Sequence, residues 1–283
     1  EQALLEQGID TDGELNHLIS RVDAEAVIGL LDISGLGIQS LEGIEAFINV
    51  SELRATGNQL STLNISQNLA LTKLFIEYNN ISNLDLSQNT ELIQIELHQN
   101  PLGELNLSNN TKLKIIGADG IGLTNLDLGG LNDIEALWLP NNNFESLNLS
   151  GIENLNVLSV TGNINLEFLD LRGSSLYNQY YFVFSNLPKL YCVNVRPELV
   201  DYFSNLQDFQ LDEHISFSED CGETIAISDP NFEQALIDLG IDNSGVLDGL
   251  IFKYEAENVT ELNVSNPLFT SDNRYDNDLI VNV

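Results

Sequence analysis

The chain has 283 residues, with 43 Asp plus Glu against 10 Lys plus Arg, a formal net charge of -33 and a pI near 4.1. Nucleic acid and anionic membrane surfaces are thereby disfavoured as partners, since both demand a basic patch. No apolar run approaches the roughly 20 residues that a membrane-spanning helix needs. With 43% hydrophobic residues the chain has core enough for one long domain and a small one. The acidity reads most simply as a solvated surface in a secreted or high-salt setting; divalent cations and basic partners are the competing readings.

Residues 1–26 lack the periodicity of the later chain and predict helix, loop, helix, from EQALLEQG through IDTDGEL to a polar stretch containing DAEAV. In the loop, Asp10, Asp12 and Glu14 set carboxylates two residues apart, a spacing that suits a hard cation such as calcium. The loop lacks the full twelve-residue calcium signature, so the competing reading is an Asx turn with Gly13 in the left-handed position. No cofactor is required on either reading, and calcium is a candidate ligand.

From residue 27 a different logic begins. Val50, Leu71, Leu92, Leu113, Ile134 and Leu155 recur every 21 residues, each followed three and five positions later by apolar residues such as Leu74 and Ile76. Such a period predicts a solenoid, whose repeats bury apolar faces only against their neighbours. An Asn lies eight residues after the opening position at Asn58, Asn79, Asn100, Asn142 and Asn163, and Ile121 interrupts the series. Ten residues into each turn the pattern nearly repeats, as in Leu60/Leu63/Ile65 and Ile81/Leu84/Leu86, which predicts two short strands on opposite sides of each turn. Asn68, Asn89 and Asn110 form a second series, and a one-residue insertion before Leu169 ends the strict register.

The L-x-x-L-x-L-x-x-N unit resembles the leucine-rich repeat family, and its nested ten-plus-eleven period resembles a bacterial subclass with L-D-L or L-N-L in the second half. VIGLLDISGLGIQSLEGIEAF, directly after the cap, is similar to the first repeat of internalin-type bacterial surface proteins. Across roughly residues 27 to 195 the resemblance implies a leucine-rich repeat solenoid. That fold is a right-handed parallel β coil with two short strands per turn, a small helical N-terminal cap and a disulfide-closed C-terminal cap. It implies that the Asn series is buried and satisfies backbone groups at the turns. It carries over no residue of any receptor-binding site.

Residues 185–227, containing NLPKLYCVNV and FSEDC, look like the closing segment of exported bacterial leucine-rich repeat domains. Cys192 and Cys221, the two cysteines, both fall there. A disulfide between them would imply an oxidising compartment; two free core cysteines in a cytosolic protein are the alternative. EQALIDLGID at 233–242 then repeats EQALLEQGID at 1–10, so residues 228–283 read as the start of a second cap and repeat module, cut short within a longer tandem protein.

Three features compete as a functional site. On the first strand set, the outward residues Phe75, Glu96 and Trp138, with Glu77, Tyr78, His98 and Asp119 beside them, form a candidate ligand-binding face, because exposed aromatics on a rigid scaffold concentrate binding energy. On the second set, Asn64, Asp85, Asn106, Asp127, Asn148 and Asp170 make a polar stripe with carboxylates about 10 Å apart, near the upper limit of an inverting glycosidase pair at about 6.5–9.5 Å. The repeat makes their environments alike, whereas an acid and a base need different ones. Finally, Tyr177, Tyr180, Tyr181, Phe182 and Phe184 follow the insertion and read as a plug for the last coil or an interface, including a homodimer. His17, His98 and His214 fall in no nucleophile or zinc motif, and no catalytic residue is assigned.

The expectation is therefore a non-enzymatic module of a secreted or cell-surface bacterial protein, which binds a protein or glycan and serves adhesion or recognition. A structural spacer or self-assembly module is the alternative, and a polysaccharide-active enzyme the remote one.

Overall fold

The computed structural model describes residues 2–16, 18–173, 181–204, 210–243, 245–247, 249–257, 259–262 and 264. Two compact units divide the chain, Glu1–Leu190 with Leu206–Glu213, and Tyr191–Asn205 with His214–Val283.

The first unit opens with two short helices, α1 (Gln2–Glu6) and α2 (Arg21–Ala26). The Ser20 hydroxyl caps α2 by accepting from the Asp23 N–H at 3.0 Å. A parallel sheet comes next, built from β1 (Gly29–Asp32), β2 (Val50–Arg54), β3 (Lys73–Phe75), β4 (Gln94–Glu96), β5 (Ile115–Gly117) and β6 (Ala136–Trp138). On the other side of the coil, β7 (Ser146–Asn148) intervenes in sequence before β8 (Val157–Ser159) rejoins the main sheet; β9 (Phe168–Asp170) pairs with β7, and β10 (Tyr181–Phe184) with β8. A short strand from the same unit, β12 (Gln210–Leu211), completes the nine-stranded sheet beside β10. The fold is thus a parallel β-solenoid of about eight turns.

The 21-residue period becomes register. Leu53, Leu74, Ile95, Ile116, Leu137 and Leu158 face one another across successive strands, and each is at most 1% exposed. Burying one such side chain is worth about 1.5–3 kcal/mol. In a solenoid that burial exists only while the neighbouring turn is in place. On the opposite side of the coil the pairing absorbs the insertion by lengthening the step: Leu147 pairs with Leu169, one residue beyond the usual interval.

The Asn series is buried and hydrogen-bonded. Asn79 Nδ2 donates to the carbonyls of Ala55 and Ile76, both at 2.9 Å, while its Oδ1 accepts from the Leu60 N–H at 3.0 Å. Asn100 does the same one turn on, accepting from Ile81. Where Ile121 replaces the amide, the backbone finds other partners: the Leu102 N–H donates to the Asn100 carbonyl and the Gly103 N–H to that of Ile121. The residue before each of these positions takes a left-handed conformation, supplied by Gly57, Gly120 and Gly162 but also by Tyr78, Gln99 and Asn141.

The opposite side departs from the two-strand expectation. Within the described residues of this unit, regular strand pairing there is confined to β7 and β9. In the earlier turns the polar stripe closes Asx turns instead, Asn64 accepting from Ser66, Asp85 from Ser87, Asn106 from Ser108 and Asp127 from Gly129. Each such bond diverts a backbone N–H from a ladder.

In the second unit, β11 (Cys192–Asn194) pairs in parallel with β13 (Ser216–Ser218). The α3 helix (Pro197–Ser204) lies between β11 and β13 in sequence. Cys192 and Cys221 form the expected disulfide, with Cα atoms 5.8 Å apart. The repeated cap sequence shares a core with it. β14 (Thr224–Ala226) runs antiparallel to β15 (Leu250–Phe252), flanking α4 (Pro230–Asp238), and α5 (Lys253–Glu257) comes after. Tyr254 and Phe252 stack at 5.5 Å and pack on the two cysteines together with Tyr191. Burial, with the charge of Glu255, pushes the Tyr254 hydroxyl well above the ordinary phenol range.

Candidate recognition face

Alternate residues of a strand point to opposite faces. The in-register pairing therefore turns the outward residues of the main sheet into columns. Arg54, Phe75, Glu96, Gly117, Trp138 and Ser159 align in one. Two residues upstream, Glu52, Lys73, Gln94, Ile115, Ala136, Val157 and Tyr181 align in another. Glu77, His98 and Asp119 lie two residues downstream, where the strands end.

At the β2 end the charges are matched. Arg54 and Lys73 both pair with Glu52, and the Arg54 guanidinium lies 5.0 Å from the Phe75 ring centroid. In the middle they are not. Glu77 accepts from the Thr56 hydroxyl at 2.6 Å, Glu96 from Gln94 Nε2 at 2.8 Å, and Asp119 from Asn141 Nδ2 at 2.9 Å. His98 stands among them as the one basic side chain: its Nε2 lies 2.9 Å from Glu96 Oε2, and its Nδ1 accepts from the Asp119 N–H at 2.9 Å. These two bonds assign the neutral ring's proton to Nε2. Burial works against the charged ring, but the hydrogen bond and charge of Glu96, joined by the charges of Asp119 and Glu77, outweigh it and hold the His98 pKa above the usual imidazole value.

Gly117 leaves the centre of the face without a side chain, and Glu96 and His98 lean over it. On its other flank stands Trp138, whose ring meets that of Tyr181 at a centroid distance of 5.1 Å and an angle of 41°. The two aromatics close over the smaller Ser159 and Val157 between their strands. Tyr78 is 62% exposed, with φ 56°, a conformation in which a bulky residue is a steric outlier.

The face thus brings together Glu77, Glu96, His98, Asp119 and Trp138 of the predicted residues, with Phe75 and Tyr78 toward its β3 side. Sequence reasoning missed Tyr181 as a member. It is 44% exposed against Trp138, while Phe182 and Phe184 are buried; Tyr177 and Tyr180 lie outside the described residues. The insertion hides the phase of this strand, and only its pairing with Val157 reveals which residues point outward.

Elsewhere the arrangement is more self-contained. Asp12 accepts from the Glu14 N–H at 2.8 Å and from Asn16 Nδ2 at 2.8 Å, which hold it below the usual carboxylate range. Asp10 is buried, and among the described residues no group of three or more His, Cys, Asp or Glu is arranged to hold a metal ion. In the polar stripe, the N–H and hydroxyl of Ser87 hold Asp85 below the usual range, the opposite of what a general acid needs. His214 packs on Tyr191, and His17 lies outside the described residues. A cavity of about 340 Å³ lies between α1 and the first turns, walled by Leu4, Ile19, Leu31, Ile33 and Phe47. No described helix is long and apolar enough to cross a membrane.

No protein-family model and no curated protein matches the chain. Solved structures do. An internalin (inlF) from Listeria monocytogenes aligns with a TM-score of 0.55 and 19% identity over 76% of this chain and 70% of that one. Internalin C2 from the same organism aligns with a TM-score of 0.53 and 18% identity, over 76% of this chain and 92% of that one. The fold is the leucine-rich repeat solenoid of these proteins.

Proposed function

We propose that this chain is a non-enzymatic recognition module of an exported bacterial protein, binding a protein partner at a cell surface through the outward face of its main sheet. The observation that carries this reading is the Trp138–Tyr181 pair, the tyrosine 44% exposed and the indole partly buried, held on strands that flank β8 beside a centre rich in carboxylates. Aromatics on a rigid scaffold bury large area at low cost in conformational entropy, and interface hot spots favour them. The Cys192–Cys221 disulfide supports export, since such bonds persist in oxidising compartments. The internalin likeness supports the same reading by analogy of fold.

A glycan is the second reading, because an aromatic pair beside hydrogen-bonding carboxylates also suits a sugar ring. The test probes a random peptide display library and a glycan array with the wild-type protein and with a Phe75→Ala/Glu96→Gln/Trp138→Ala variant of unchanged melting temperature. Peptide ligands that disappear with the variant support the protein reading; glycan ligands that disappear favour the second. Ligands that bind both proteins alike would place recognition off this face.

A further inference from the structure

We propose that the partner engages this face with an arginine side chain, its guanidinium stacked on the Trp138–Tyr181 pair and hydrogen-bonded toward Glu96 and Asp119. The inference rests on the recognition reading above and names the chemistry of the occupant.

Shape supplies the first argument. Gly117 has no side chain, and the Glu96 carboxylate rests over it, on the strand next to that of Trp138. The strands of Glu96 and Trp138 are two spacings apart, but the carboxylate reaches across to one spacing, roughly 5 Å, from the strand of Trp138. A flat, planar group laid on the aromatic pair can turn its edge toward that carboxylate. Arginine is flat, stacks on aromatic faces and presents a fork of donors that matches carboxylates. The ammonium of lysine is compact and strongly hydrated, and it stacks less well.

Charge supplies the second. The Glu52 carboxylate is matched by Arg54 and Lys73. Among the described residues Glu77, Glu96 and Asp119 share only His98, so this part of the face keeps net negative charge even with the ring protonated. A chain of net charge -33 also steers cationic partners toward itself from a distance.

Trp138 is the only tryptophan of the chain, so its fluorescence reads the site directly. The probes are the blocked peptide Gly-Arg-Gly and its Gly-Lys-Gly and Gly-citrulline-Gly counterparts, titrated at constant ionic strength. Citrulline keeps the planar shape and removes the charge. The arginine peptide is expected to give a saturable change, with the other two weaker by about fivefold or more and Asp119→Asn weakening the arginine peptide by about tenfold. A change that does not saturate, or one of equal affinity for citrulline or lysine, overturns the proposal. The display selection separates the two readings. Face-dependent peptides without arginine enrichment would remove the arginine inference and leave the recognition face standing, whereas peptides indifferent to the triple variant would remove the face itself.

Discussion

The Glu96 carboxylate occupies the space that a side chain on Gly117 would need: a β-carbon built there would lie 2.8 Å from Glu96 Cδ and 2.7 Å from His98 Nε2. One missing methyl group on β5 thus decides where a carboxylate of β4 rests.

Gly117→Ala probes that placement directly. The backbone at Gly117 is not left-handed, and the obstacle is the end of a flexible side chain, so stability should change by less than about 1 kcal/mol. Glu96 and His98 must move, and affinity for ligands selected on the face should fall about tenfold. An unchanged melting temperature with unchanged affinity would show that Glu96 is not used.

Glu96→Gln should lower the His98 pKa, because it removes the first of the influences that raise it and leaves burial, which opposes the charge. In the wild type the folded pKa lies above the unfolded imidazole value near 6.5. The ring's contribution to stability is therefore fully present below that value and is lost as pH rises through the folded pKa. Proton NMR titration of the three histidines checks both statements; a His98 midpoint that stays in place in Glu96→Gln contradicts the coupling.

Tyr78 stands where other turns use Gly57, Gly120 and Gly162, at a left-handed φ of 56°. That conformation costs a residue with a β-carbon about 1–2 kcal/mol. Tyr78→Gly should therefore raise stability by up to about 1 kcal/mol in chemical denaturation, while any ligand that touches the exposed ring binds less well. A destabilised Tyr78→Gly would mean that the ring packs usefully on the surface.

Asn100→Ala should cost about 2–4 kcal/mol, because it orphans the Ile81 N–H and the carbonyls of Ile76 and Leu97 inside the coil. Asn64→Ala, which opens only an exposed Asx turn, should cost about 1 kcal/mol or less. Equal losses would deny the buried ladder its special place.

Replacing both Cys192 and Cys221 by Ala should destabilise the second unit by about 3–4 kcal/mol on the chain-entropy model. Hydrogen exchange should report the loss around β11, β13 and Tyr254, which share the disulfide's core. Protection unchanged in those segments would show that packing alone holds them.

Periodicity by itself determined the solenoid. Leu74, Ile95 and Ile116 recur at one interval, and a repeat that cannot bury its apolar face alone has to stack on its neighbours in register. The burial of the Asn series was legible through the resemblance to leucine-rich repeats, and it holds because a polar residue at a fixed place in an apolar repeat must satisfy backbone groups. Tertiary structure alone decided what lies between the repeats. It set the polar stripe into Asx turns rather than a second continuous sheet, joined the repeated cap to the disulfide in one core, and brought Tyr181 against Trp138 across an irregular insertion. Local spacing specifies the neighbour within a turn. Contacts between residues on strands separated by an insertion depend on register and side-chain direction, which a single sequence does not carry.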